Sequence, residues 1–243
     1  MMKTILCSIL FTLISTVSFA QLKMSANLQT NHLWRDGEVA DGLVVTTDAS
    51  VKPFDGNLSF GVWGGVNIYG TYKEFNYYCS YRAGGFKAML MDTYNFADYA
   101  TYNNEEFFNY KPSSTGRFLD ATLTYRFGEN FPVKVLWATV LFGRDRNSDN
   151  TANRYSTFCS VEYPIYNKDQ WRVDATVGGA FSLNPMGESA NFYGDKPGIV
   201  DITMKISRDV MIENYRLPVS LTMLWNPQSN KAYLQLAAQL FSF

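Results

Sequence analysis

Few residues in this chain could do acid–base or metal chemistry, and none stands in the pattern that such chemistry needs. His32 is the only histidine. Hydrolytic chemistry of the protease or phospholipase kind rests on a histidine working beside a serine or an aspartate. His32 instead follows Asn31 at the outer end of the first expected strand and reads as an interfacial side chain. No G-x-S-x-G, metal-ligand cluster or phosphate loop occurs. Asp145-Arg146-Asn147-Ser148-Asp149 opens like a calcium loop, but the sixth position is not glycine and Ser156 stands where a bidentate Glu is required. No catalytic residue, metal or cofactor is therefore expected.

A second set of charged residues is more regular. Asp48, Glu74, Asp120, Glu162, Asp174 and Asp201, with Lys52, Arg82, Arg126, Lys134, Arg172 and Lys205, each fall on the polar register of an alternating stretch. A charge turned toward lipid costs about 2–4 kcal/mol near the bilayer midplane, so these twelve are expected to line a lumen. Six acids against six bases give such a lumen no strong ion selectivity.

The elements that must carry them have a period of two. In Arg117 to Phe127, Leu119, Ala121, Leu123, Tyr125 and Phe127 alternate with Asp120, Thr122, Thr124 and Arg126. Trp171 to Leu183, Ile199 to Arg208 and Leu217 to Trp225 repeat the pattern. Further strands are expected near Leu22 to Arg35, Leu43 to Lys52, Leu58 to Tyr69, Thr71 to Arg82, Phe86 to Phe96, Val133 to Phe142, Tyr155 to Tyr166 and Tyr233 to Phe243. About 12 strands of about 10 residues match what a tilted strand needs to cross a bilayer. The fold class is all-β, a transmembrane antiparallel up-and-down β-barrel.

Connection lengths support that reading. Short links at Pro53 to Asn57, Ala83 to Gly85, Gly128 to Pro132, Lys168 to Gln170 and Glu213 to Arg216 alternate with a longer set. The longer links are Asp36 to Gly42, Asp98 to Gly116, Arg144 to Arg154, Asn184 to Gly198 and Asn226 to Ala232, and only the turn at Gly70 breaks the rule. Outer-membrane barrels keep short turns on the periplasmic side and long loops outside. Aromatics gather at both strand ends, Trp34, Tyr69, Phe96, Phe142, Tyr155, Phe181 and Trp225 beside the long loops, Tyr81, Phe86, Phe127, Tyr163 and Trp171 opposite. Two interfacial belts are expected from this.

The chain opens with Lys3, an apolar run from Thr4 to Phe19, and Ser18-Phe19-Ala20, a secretory signal with cleavage expected after Ala20. Residues 21–243 would then be the barrel, located in the outer membrane of a Gram-negative cell. Losing Lys3 takes the formal charge from −1 to −2, and a near-neutral chain has no basic stripe for nucleic acid. No later apolar stretch approaches the roughly 18 residues of a membrane-spanning helix. Cys79 and Cys159 lie far apart and read as apolar wall residues.

Phe241 and terminal Phe243 resemble the signature by which barrel precursors are recognised for assembly, which implies membrane lipid and the barrel-assembly machinery as partners. Gln235 and Gln239 fall on positions that the signature fills with apolar residues, which calls for a bulge or leaves Phe243 as most of the signal. Elements of the first hundred residues, Trp34-Arg35, Phe60-Gly61-Val62-Trp63-Gly64, Tyr72-Lys73-Glu74-Phe75-Asn76-Tyr77-Tyr78 with Tyr81, and Asp92-Thr93-Tyr94-Asn95-Phe96, resemble the TorF-type family of porins. Asp36 stands where that family has glycine. The resemblance implies an outer-membrane barrel passing small solutes and supplies no catalytic residue.

Several local features carry separate expectations. Loop Asp98 to Gly116 holds Tyr99, Tyr102, Glu105, Glu106, Phe107, Phe108 and Tyr110, aromatic enough to narrow a pore, cover its mouth, or pack on its neighbours. Asp92 falls on an otherwise apolar register and suggests a bulge or a shifted register in that strand. Pro164 must interrupt a ladder, and Gly64-Gly65 and Gly178-Gly179 mark bends or places where a bulky lumen residue meets bare backbone. Three functions stay open: a small-solute channel, a closed structural or adhesive barrel whose loops bind a partner, and a soluble secreted β-protein, which would require the apolar face to point inward.

Overall fold

The computed structural model describes residues 21–53 and 56–243; the expected signal peptide lies outside them. Fourteen strands follow one another: β1 (Gln21–Gln29), β2 (His32–Trp34), β3 (Gly37–Ala40), β4 (Val44–Lys52), β5 (Leu58–Asn67), β6 (Lys73–Ala83), β7 (Phe86–Asn95), β8 (Phe118–Arg126), β9 (Lys134–Gly143), β10 (Ser156–Lys168), β11 (Trp171–Ser182), β12 (Gly198–Ile212), β13 (Tyr215–Asn226) and β14 (Lys231–Ser242). All but β2 and β3 close into one antiparallel barrel in which each strand pairs with its neighbours in sequence and β1 pairs with β14.

The polarity is inside out. Leu123, Trp137, Val161, Val177, Ile202 and Leu234 are exposed, whereas Thr46, Asn76, Asp120, Asp174 and Asp201 are buried. A pleated strand sends successive side chains to opposite faces, so one chemical alternation decides orientation in every strand. Hollows of about 640 and 700 Å³ on the outer face are gaps between these apolar side chains.

Three irregularities have local causes. The β10–β11 register slips between Pro164 and Tyr166, because proline has no N–H to give the ladder. The β11–β12 register slips between Gly178 and Gly179. A Cβ on Gly178 would lie 2.5 Å from Cζ of Phe158, so the bare backbone there admits a lumen aromatic. In the closing seam, Ala26 pairs with Phe241 while Asn27 pairs with Gln239. Leu240 is the extra residue, and it moves Phe241 and Phe243 onto the outward face shared by Leu234 and Leu236, where both rings are exposed and stacked 5.7 Å apart. The bulge reconciles Gln235 and Gln239 with an outward terminal phenylalanine.

Other expectations are corrected. The first barrel strand ends at Gln29, not Arg35, and 30–42 forms an inward-turned hairpin of β2 and β3. Trp34 is therefore not part of the outer belt. The connection at Asn226 to Ala232 tightens to 227–230. Asp92 carries no bulge, since β6–β7 and β7–β8 run past it in unbroken register. Cys79 and Cys159 are both free, each on a partly exposed stretch of wall.

Candidate functional site

The hairpin makes the site. Asp36-Gly37 supplies the turn and Arg35 takes a positive φ of 46°, which aims its guanidinium across the lumen. Nη1 and Nη2 donate to the two oxygens of Asp120 on β8 at 2.7 and 2.8 Å, a bidentate pair of the strongest protein type. Arg35 also donates to Thr122 Oγ1 at 3.1 Å and to the Tyr193 hydroxyl, and it lies 4.5 Å from the Trp34 ring centroid. From the far wall, Gln235 donates to the Asn31 carbonyl at 2.7 Å and Asn226 to the Asp36 carbonyl at 2.9 Å.

A second intrusion meets the first. The loop between β11 and β12 turns Phe192 and Tyr193 inward, where Trp34 contacts Phe118, Phe192 and Tyr193 with centroids at 5.8, 6.2 and 5.6 Å. Phe158, Ala180, Tyr193 and Val200 form a buried apolar cluster with Trp34, Leu136 and Phe192 packed against it. Asp145 holds this loop in place: its carboxylate accepts from Ser156 N and Oγ at 2.7 and 2.8 Å, and Ser156 Oγ accepts from Phe192 N at 2.8 Å. The run that opened like a calcium loop is thus a brace. Outside it, Glu188 accepts from Ser148 and Arg154, and these bonds draw its carboxyl down to about 2.

The twelve charged residues expected in the lumen fall on the inward registers, in three arrangements. Asp120 holds the hairpin, and Asp48 accepts the Tyr78 hydroxyl at 3.0 Å. Toward the short-turn end, Glu162 pairs with both Arg126 and Lys134, and Arg172 with Asp174 at 2.7 Å. Asp201 accepts from Thr203 at 2.6 Å, while Lys52, Arg82 and Lys205 make no ion pair among the described residues. Glu74 accepts from Asn76 at 2.8 Å and from Asn95 at 3.3 Å.

Between the hairpin and the wall of β5 to β8 lies a cavity of about 460 Å³, lined among others by His32, Trp34, Trp63, Glu74, Tyr102 and Arg144. His32 is not interfacial. It stacks at 5.9 Å on Tyr72 and 5.4 Å on Trp63, with Nδ1 3.0 Å from Gln29 Oε1, and burial pulls its imidazole down to about 4. Burial pushes the Asp36 carboxyl up to about 6. Arg144, just past the end of β9, lies 3.8 Å from the Tyr102 ring centroid and lowers its pKa through burial.

The long loop does two of the things its composition suggested, one with each half. Tyr99 donates to the Val39 carbonyl at 3.3 Å and Tyr102 covers Arg144, so the first half leans over the hairpin and the cavity. The second half crosses the rim to the outer wall. There the outward-facing Asp92 receives Arg117 Nε at 2.7 Å, the Tyr77 hydroxyl at 2.8 Å and the Tyr110 hydroxyl at 3.0 Å. Phe107, Tyr94, Tyr110 and Tyr77 surround the Arg117 guanidinium at 4.6 to 5.2 Å. Glu105 and Glu106 stay exposed, Glu106 accepting from Asn103 and Asn109, and Phe108 is 83% exposed. Sequence reasoning missed Arg117 and Arg144 as site residues, together with Phe192 and Tyr193.

No family model matches the chain, and no curated protein gives a significant match. Among solved structures it is similar to an outer membrane channel from Pseudomonas putida F1, at 10% identity over 90% of this chain and 92% of that one, with a TM-score of 0.41. A bacterial polysaccharide outer membrane secretin is similar at 12% identity over 91% of this chain and 96% of that one, also with a TM-score of 0.41.

Proposed function

We propose that the chain is an outer-membrane barrel that passes small solutes, with the inward hairpin 30–42 setting the aperture. The observation that carries the reading is the combination of an apolar outer wall with a charged lumen crossed by the Arg35–Asp120 pair. Hydrocarbon is the one solvent in which such a wall is stable, and a barrel has no open edge to leave unsatisfied there. The resemblance to TorF-type porins points the same way. Outward Phe241 and Phe243 suit recognition by the assembly machinery.

Reconstitution into planar bilayers tests this. Small discrete conductance steps are expected from the intact chain and larger ones when residues 31–41 are replaced by a short Gly-Ser turn. Silence from both overturns the channel. The second reading, a closed barrel whose loops meet a partner, is favoured by the Phe158, Tyr193 and Trp34 cluster that occupies the lumen beside the hairpin, and silence would leave it standing. Fractionation with outer membranes and a mobility shift on boiling test the location common to both.

A further inference from the structure

The lumen cavity holds one charge of each sign without an ionic partner. Arg144 Nε is buried with no hydrogen-bond acceptor, and no carboxylate of the described residues is in ion-pair range of its guanidinium. Its guanidinium lies against ring faces, Tyr102 at 3.8 Å, Phe192 at 4.9 Å and Phe118 at 5.1 Å, while Glu74 and Asp145 act on it only from beyond ion-pair distance. Glu74 lines the same cavity, receives the neutral amides of Asn76 and Asn95 beside the neutral Tyr72 hydroxyl, and has no cation of the described residues in ion-pair range. The other charges on the cavity wall are spoken for or lie at its edge: Arg35 with Asp120, Glu38 with the Asn31 amide, and Asp36 beside Arg35.

Charged groups withdrawn from water are costly unless each meets an opposite charge or a full set of hydrogen bonds. Here the two do not reach each other. We propose that the cavity is a binding site for a small zwitterion carrying a carboxylate and an ammonium group, an amino acid or a short peptide. The carboxylate meets Arg144, whose planar fork matches two carboxylate oxygens. The ammonium meets Glu74, flanked by the rings of Trp63 and Tyr99, which favour a cation over their faces. An apolar side chain lies against Trp34 and Phe192, which touch each other edge to face and both line the cavity. The volume of about 460 Å³ sits within the roughly 300–1,000 Å³ of small-molecule sites. Binding uses the same inward hairpin as the channel reading but needs no conductance, so either can fail without the other.

Trp34 and Trp63 report on the site directly. Tryptophan emission of the purified, micelle-embedded barrel is titrated with phenylalanine, with 3-phenylpropionate, which lacks the ammonium, and with 2-phenylethylamine, which lacks the carboxylate. Saturable binding of phenylalanine is expected, with each analogue weaker by about 10-fold or more, the size of one lost charged hydrogen bond. R144Q should weaken phenylalanine and 3-phenylpropionate but spare 2-phenylethylamine, and E74Q should do the reverse. No saturable response to any of the three ligands, or an analogue that binds as tightly as phenylalanine, overturns the proposal. The ligand series on the unaltered chain decides the matter even if a variant fails to show its boiling-dependent mobility shift.

Discussion

Arg35 and Asp120 stand 85 residues apart in sequence and form a two-pronged ion pair at 2.7 and 2.8 Å across the lumen. The pair helps fix to the barrel wall a short hairpin whose other polar ties are single hydrogen bonds and whose remaining hold is the packing of the Trp34 and His32 rings. Breaking a buried pair from one side leaves an uncompensated charge and costs about 3–5 kcal/mol, while replacing both partners by apolar groups is often neutral.

D120N should therefore loosen residues 30–42 strongly, whereas the double substitution Arg35→Met with Asp120→Leu should keep them docked. Amide hydrogen exchange of the hairpin reads this out. Equal protection in the intact chain and D120N would remove the pair from any role in docking.

The outer-wall pair behaves by the same logic in a different solvent. D92N leaves the buried Arg117 charge without its carboxylate under the aromatic cover, at a cost of about 3–5 kcal/mol, as when any buried pair is broken from one side. D92L combined with R117L should recover most of that loss. The temperature at which the folded band disappears from a gel ranks the three proteins, and a double variant no better than D92N would count against lipid-facing neutralisation.

Hairpin docking should depend little on pH in the intact chain, because two groups oppose each other. His32, down at about 4 from an ordinary 6.5, binds fewer protons when docked, so its contribution is present above pH 6.5 and is lost as pH falls toward 4. Asp36, up at about 6 from an ordinary 3.8, binds more protons when docked, so it favours docking below pH 3.8 and ceases to do so as pH rises through 6. D36N should consequently undock on acidification between pH 6.5 and 4, and H32N should tighten over nearly the same interval. Hydrogen exchange across this range tests both, and three identical profiles would refute the assignment.

Gly178 tests the packing of the lumen cluster. A Cβ there would meet Phe158 Cζ at 2.5 Å and Asp201 Cβ at 3.1 Å. G178V should cost about 1–3 kcal/mol by overpacking, and F158A in the same chain should relieve part of it. Thermal unfolding of the single and double variants measures the relief, and an undestabilised G178V would show that the ring moves freely.

The barrel was legible because membrane strands repeat a single instruction, apolar out and polar in, and the repeat survives register slips at Pro164, at Gly178, between Leu119 and Asp120, and at Leu240 in the closing seam. The hairpin was not. Leu33, Trp34 and Arg35 continue the look of a strand, and what stops them is a carboxylate far along the chain. The local hint was Asp36-Gly37 with Gly42, a turn signal. Asp92 invited a local explanation, a bulge, when its answer was Arg117, the last residue before β8. Arg144 and Tyr193 gave no local signal at all, since a loop residue reads as solvated until the loop is known to turn inward.

The loop from β7 to β8 straddles the rim like a saddle, one knee on Arg144 in the lumen and the other on Arg117 outside. Asn103 joins the halves by donating to the Ser114 carbonyl at 3.1 Å, and its side chain also takes the amides of Glu105 and Glu106. Such a rider transmits displacement. Phe108, exposed on the outer half, and Tyr102, closed over Arg144 on the inner, thus belong to one bonded unit whose footing on either side of the rim is shared by both.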